Sequence, residues 1–306
     1  MEYHVPVLLK EVVAALNPRP GGVYLDGTLG GGGHAEAILQ SCAGARLIGI
    51  DRDGEAIEYA GNRLKPYAER FTAARGDFKD ADAILDGLNI GKIDGAVLDL
   101  GISSRQIDSA ERGFSYANDA PLDMRMDKRQ GLTARDVVNG YSEAELARIL
   151  KGYGEEDFAR GIARAIVRER AITPIETTGR LAETVTGAVP KKFRYGGVPK
   201  KTFQAVRIEV NGELDGLQDA LQRFIERLQT GGRLAVISFH SLEDRAAKTV
   251  FKLNAAGCVC DKSFPICVCG HKASVKLVSG PTPPTPEEIA KNPRSASAKL
   301  RVAEKL

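Results

Sequence analysis

Tyr24–Gln40 reads YLDGTLGGGGHAEAILQ: a strand-like run ending near Asp26, four consecutive glycines, and a helix-like run. A phosphate-binding P-loop needs Gly-Lys-Ser/Thr after its glycines, and here His34 and Ala35 follow Gly33, which excludes one. Gly30-x-Gly32-x-x-Ala35 matches the relaxed dinucleotide fingerprint, and Asp51, ending the next strand-like run, is placed to accept from ribose hydroxyls. The plain alternative is a glycine-rich tight turn. NAD and S-adenosylmethionine both use this loop geometry, so the rest of the chain has to choose.

Short β-rich runs alternate with helix-like segments from Gly22 to Gly101: Val23–Asp26, Arg46–Asp51, Arg70–Phe78 and Ile93–Gly101 read as strands, with helices near Ala35–Ser41, Gly54–Lys65 and Lys79–Leu85. Such alternation predicts a parallel sheet covered by helices. From about Gln106 to Phe203 strand signal fades and amphipathic helices take over, one opened by the capping box Ser142/Glu145. The α/β pattern then resumes: ELDGLQDALQRFIERL carries an apolar stripe from Leu214 to Leu228, TGGRLAVISFH is a buried strand, and AKLRVAEKL a last strand. The expected organisation is a discontinuous α/β domain, residues 1–105 and 204–306, with a helical insertion over 106–203.

Asp26, Asp51, Asp77 with Phe78, and Asp99 all end strands of this pattern. In open α/β sheets ligands sit beyond the carboxyl ends of the strands, so these groups converge on one ligand. Aspartates end strands for turn reasons too, but four in register point to S-adenosylmethionine, and neither Asp26 nor Asp77-Phe78 is explained by NAD.

The chain has 306 residues, 43% hydrophobic and 27% charged, an ordinary globular balance. No apolar run approaches the roughly 20 residues that span a bilayer, and Glu2, Lys10 and Glu11 interrupt the N-terminus, so a cytoplasmic protein without membrane association is expected. A net charge of +3 does not by itself identify a nucleic-acid partner.

Long, ordered stretches spread over almost the whole chain carry a resemblance: HVPVLL, DGTLGGGGH, GIDRD, LDLGISSRQID, ERGFSY, PLDMRMD, YGEEDFARGIARAIV, TFQAVRIEVN, ISFHSLEDR and NPRSASAKLRVAEK. With these the chain resembles the bacterial 16S ribosomal RNA cytosine-N4 methyltransferase family, also called MraW or RsmH. The resemblance implies a class I (Rossmann-like) methyltransferase sheet with a helical inserted domain. It implies S-adenosylmethionine as cofactor, held by Gly32, Gly33, His34, Asp51, Phe78, Asp99 and Gln106. It further implies methylation of a cytidine in the decoding region of 16S ribosomal RNA, cytidine 1402, met within the small ribosomal subunit. No obligate protein partner is evident.

Methylating the exocyclic amine of cytosine is a direct displacement that needs acceptors near the amine and an in-line geometry. Many amino-methyltransferases place Asp/Asn-Pro-Pro-aromatic after the fourth strand; here Asp99-Leu100-Gly101-Ile102-Ser103 stands there, so Asp99 or the backbone at Leu100, with Ser103 and Ser104 nearby, are the candidate amine contacts. His240 either takes a proton or is merely hydrogen-bonded at a strand end. Lys191, Lys192, Arg194, Lys200, Lys201 and Arg207, interleaved with Phe193, Tyr195 and Phe203, suit phosphate contact and base stacking on RNA, or form a solvated basic loop. Asp123–Asp127, DMRMD, reads as an ion-paired corner or a lid. Cys258, Cys260, Cys267 and Cys269 form two Cys-x-Cys pairs that could enclose zinc, stay as reduced thiols or act as a redox pair; no metal ligand is counted among the site residues. Cys42 reads as a helix-end core residue.

Overall fold

The computed structural model describes residues 6–194, 197–261 and 266–306; Tyr195 and the first five residues, including His4 and Val5 of HVPVLL, lie outside it. The chain divides into two compact units, Met1–Gly101 with Gly216–Leu306, and Ile102–Asp215. The sequence pattern put these boundaries at 105/106 and 203/204. The second lies later because the helix that contains Phe203 runs unbroken to Asn211, inside the helical unit.

The first unit alternates α1 (Leu9–Leu16), β1 (Val23–Asp26), α2 (Gly33–Ser41), β2 (Arg46–Asp51), α3 (Gly54–Arg63), β3 (Phe71–Arg75), α4 (Ala81–Gly87) and β4 (Ile93–Asp99). The helical unit contains α5 (Ser104–Asp108), α6 (Ala134–Gly140), α7 (Glu143–Gly152), α8 (Ala159–Arg170), α9 (Thr178–Ala188) and α10 (Pro199–Asn211). The first unit is completed by α11 (Leu217–Arg227), β5 (Leu228–Ser238), α12 (Ser241–Ala255), β6 (Val275–Leu277), α13 (Pro286–Lys291) and β7 (Lys299–Lys305).

The strands form one seven-stranded sheet in the order β3-β2-β1-β4-β5-β7-β6. Neighbours among β1 to β5 are parallel, and β7 runs antiparallel between β5 and β6. This is the class I methyltransferase sheet with its reversed last strand. Val97 and Leu98 of β4 point to opposite faces and both are buried, as a central strand covered on both sides requires. The order reverses between β1 and β4, which makes their carboxyl ends the switch point where such sheets bind ligands.

β3 stops at Arg75, short of the expected Phe78, because Asp77 caps a single 3₁₀ turn over Phe78–Asp80. Leu214 falls outside α11, which starts after Gly216 in the left-handed region at φ +64°. In the helical unit Leu146, Ile149, Leu150, Ile162 and Ile166 meet Phe203 and Val206 in one core, and Ser142 and Glu145 form their capping box. Among the described residues no helix is long and apolar enough to cross a membrane.

Candidate active site

Register sets the geometry of the strand ends. Asp26 lies opposite Gly49 of β2 and Val97 of β4, and Asp51 and Asp99 stand two residues further along their strands. Side chains alternate faces with period two, so all three carboxylates leave the same face of the sheet at its carboxyl edge.

The glycine loop is held from behind. Gly30 sits at φ +49°, a region that costs a side chain strain, and its N–H donates to Asp51 Oδ2 at 2.7 Å while Asp53 N–H donates to Asp51 Oδ1 at 2.8 Å. A Cβ on Gly33 would lie 2.2 Å from Pro6 Cγ, so glycine there lets the N-terminal segment pack beneath α2. A Cβ on Gly32 would meet Ala60 of α3 at 3.2 Å. The absent side chains of Gly32 and Gly33 therefore face protein, which leaves only their backbone for a ligand. Arg63 donates to the Gly31 carbonyl and to Glu36.

Thr28, which sequence reasoning passed over, ties the switch point together: its N–H donates to Asp26 Oδ1 at 3.1 Å, and its Oγ1 accepts the Asp99 N–H at 2.6 Å. The Asp-Gly-Thr spacing, an Asx turn, was the available signal. His34 is buried and places Nε2 2.9 Å from the Val7 carbonyl. A carbonyl only accepts, so Nε2 carries the proton and Nδ1, 3.9 Å from Asp99 Oδ2, faces the carboxylate.

Two buried carboxylate oxygens, Asp26 Oδ2 and Asp99 Oδ1, have no hydrogen-bond partner among the described residues. Burial, opposed by the Thr28 N–H and reinforced by the charge of Asp51, pushes Asp26 up to about 7. Burial, with the charges of Asp26 and Glu243, pushes Asp99 well above the carboxylate range, although 19% of its side chain stays exposed. Asp51 is raised by burial too, against its two backbone donors. A clustered, underpaired set of acids is a site complementary to a cation. NAD would bring a doubly anionic pyrophosphate to it; S-adenosylmethionine brings a sulfonium and an ammonium.

Phe78 is buried, its Cβ 3.1 Å from where a Cβ on Gly27 would stand. Asp77 is ion-paired to Arg52 at 3.0 Å and caps the turn, so its carboxylate is already engaged. His240, expected either to take a proton or to be hydrogen-bonded at a strand end, is the N-cap of α12. Its Nδ1 accepts from Glu243 N–H, and Nε2 lies 3.1 Å from Glu243 Oε1 without hydrogen-bond geometry. Glu243, 2% exposed, in turn accepts from the Phe239 N–H, and no sequence signal beyond the His-x-x-Glu cap spacing exposed its effect on Asp99.

Ser103 and Gln106 belong to the helical unit, where they form a reciprocal capping box on α5: Gln106 N–H donates to Ser103 Oγ, and Ser103 N–H donates to Gln106 Oε1. Of the basic set, Lys191, Lys192, Arg194, Lys200 and Lys201 are exposed. Arg194 donates to the Val189 and Gly187 carbonyls, and Lys201 to that of Glu155. Arg207, expected in the same basic set, makes a two-pronged pair with Glu213, at 2.8 and 2.9 Å, and Glu213 is buried, so the pair balances its charge within the fold. Phe203 is core, edge-on to Tyr116, whereas Phe193 is half exposed with Lys192 over its ring at 4.9 Å. DMRMD is an ion-paired corner: Arg125 grips Asp123, and Asn211 of α10 bonds the backbone of Met124 and Met126. Cys42 is a buried residue at the end of α2.

A protein named ribosomal RNA small subunit methyltransferase H from Heliobacterium modesticaldum is 51% identical over 309 residues, covering 99% of each chain. One of the same name from Pelobacter propionicus is 51% identical, covering 99% of this chain and 98% of its own. A crystal structure of a putative rRNA-methylase from Clostridium thermocellum aligns over 99% of this chain and 100% of its own at 12% identity and a TM-score of 0.45, too weak a likeness to argue from. The family model described as the MraW methylase family matches residues 1–306, and the chain belongs to that family.

Proposed function

We propose that this methylase transfers a methyl group from S-adenosylmethionine to the exocyclic N4 of cytidine 1402 in 16S ribosomal RNA, in the cytoplasm and within the small subunit. The observation that carries the cofactor is the pair of partnerless buried oxygens on Asp26 and Asp99, with raised carboxyls that a cationic ligand would draw into the ionised form. The names of the relatives support a small-subunit ribosomal RNA as substrate.

When bound, S-adenosylmethionine supplies an electrophilic methyl on a sulfonium, so transfer is a direct displacement. Asp51, each of whose oxygens can accept a second bond, holds the ribose hydroxyls, and Phe78 takes a face of the adenine. Gly32 and Gly33 contribute backbone. Asp26 neutralises the methionine portion. Asp99 accepts a hydrogen bond from the cytosine amine, which favours rehybridisation at nitrogen, and its basicity suits it to take the departing proton. His34, fixed by the Val7 carbonyl, lines the cofactor site beside Asp99. Ser103 and Gln106 act through the turn their capping box fixes.

The acceptor cytosine must be unstacked to reach such a cofactor. Lys191, Lys192 and Lys200 contact phosphate and Phe193 offers a stacking face. Replacing the three lysines with alanine then flattens the dependence of log affinity on log salt by roughly 0.7 for each phosphate left without its lysine.

The deciding assay is transfer of labelled methyl from S-adenosylmethionine to small subunits from cells lacking this protein, followed by nucleoside mass spectrometry. N4-methylcytidine at position 1402 is expected. A different methylated nucleoside overturns the N4 assignment, and no transfer overturns the catalytic one.

A further inference from the structure

The connection from α12 to β6 turns the usual logic of a loop inside out. Cys258, Cys267 and Cys269 are exposed and Cys260 is half-buried, yet the four sulfurs gather so that each lies within 4.8 Å of the others. The apolar neighbours point away: Val259 is 46%, Val268 74% and Ile266 75% exposed. Among the described residues of this turn, burial of hydrocarbon therefore does not hold it together, and four thiols in close contact are a poor substitute for a core.

Three separations define the cluster: Cys260–Cys267 at 4.0 Å, Cys267–Cys269 at 3.6 Å and Cys269–Cys258 at 3.8 Å. A tetrahedron with metal–sulfur bonds of about 2.3 Å has edges of about 3.8 Å. A disulfide would need about 2.05 Å. An iron–sulfur cluster would hold thiolates of different irons further apart than one ion's coordination sphere.

Backbone donors converge on the same sulfurs. The N–H groups of Val259 and His271 point at Cys269, that of Cys260 at Cys258 and that of Val268 at Cys260. Such donors stabilise charge on thiolate ligands and orient them. His271 is turned elsewhere, its Nε2 3.1 Å from the Leu253 carbonyl at the end of α12, so it is an anchor rather than a ligand. Ser274 binds Asn254 through both its N–H and its hydroxyl, fixing the far end beside β6.

We propose that Cys258, Cys260, Cys267 and Cys269 bind one zinc ion in a closed tetrahedral site. Four thiolates leave no open position, so the ion is structural: it supplies the missing core of the connection between α12 and the edge strand β6. Each thiol gives up its proton on ligation. The site belongs to this loop, and no residue assigned above to methyl transfer takes part.

Untagged protein, purified reduced and without chelators, is analysed by inductively coupled plasma mass spectrometry, then stripped and reconstituted with cobalt(II). About one zinc per chain is expected, with tetrahedral d–d bands and intense thiolate-to-cobalt charge transfer on reconstitution. The variant Cys258→Ser/Cys267→Ser is expected to lose at least about nine-tenths of the metal. Zinc below about a quarter equivalent together with no charge-transfer band overturns the proposal. So does iron with labile sulfide, or metal retained in full by the variant. The cobalt spectrum is read on the unmutated chain, so misfolding of the variant does not blunt the test.

Discussion

Two regions of this molecule treat buried charge in opposite ways. In the helical unit Arg207 closes on Glu213 with two hydrogen bonds, and Arg125 closes on Asp123 in the same fashion. At the switch point of the sheet Asp26 and Asp99 each keep one oxygen without a partner among the described residues, and their neighbours Asp51 and Glu243 add like charge. A pair that satisfies itself needs nothing further and acts as structure. Acids gathered without a counter-charge destabilise the ligand-free fold, and that cost is recovered when a cation arrives.

The sharpest way to break the comparison is to unpair the paired region. Arg207→Ala strands a buried carboxylate and is expected to cost about 3–5 kcal/mol, read by chemical denaturation. Replacing both partners, as Arg207→Met with Glu213→Leu, restores most of it. If instead the single variant keeps its stability and loses RNA affinity, the pair is not structural.

Next, Asp99→Asn removes charge and basicity while keeping shape. Single-turnover methyl transfer is expected to fall by about 10²–10³, with a Tm equal to or above that of the unmodified chain. An unchanged rate would remove Asp99 from the chemistry.

The pH dependence follows from Asp26. A carboxyl raised to about 7 stabilises the fold fully below its ordinary range near 3.8, and that contribution is lost as pH rises toward 7. The ligand-free protein should therefore lose stability between those values, and Asp26→Asn should flatten the loss. Affinity for S-adenosylmethionine runs the other way: calorimetry should find it rising with pH below 7, by up to about tenfold per unit for one proton released, then levelling. A flat profile would mean that Asp26 does not meet the ligand's charge.

The smallest effect belongs to His240. His240→Ala should cost about 1 kcal/mol through the lost cap, and His240→Asp should recover it, with single-turnover transfer by the folded enzyme unchanged in both. A large loss of rate in His240→Asp would return this residue to the chemistry.

The α/β alternation, the glycine fingerprint, the ranges of β1 and β2, and the capping box at Ser142 were all legible along the chain, because each is a local pattern of burial period or turn chemistry. So were the strand-end acids, whose parity follows from the two-residue repeat of a strand. Charge partners were not legible. Arg207 and Glu213 lie six residues apart, with the end of α10 between them, and composition shows only a basic stretch; the pairing depends on how the chain turns at Gly212. Phe203 looks like a stacking aromatic in sequence and is core, because helix periodicity carries it inward with Val206.

By itself the sequence determined which residue types stand at the ends of which strands, since backbone periodicity and turn chemistry are properties of neighbours. Only the tertiary structure decided which of those charges find partners. That choice rests on contacts between distant segments: Thr28 with Asp99, Val7 with His34, the Glu243 charge acting on Asp99, and four sulfurs drawn to one point.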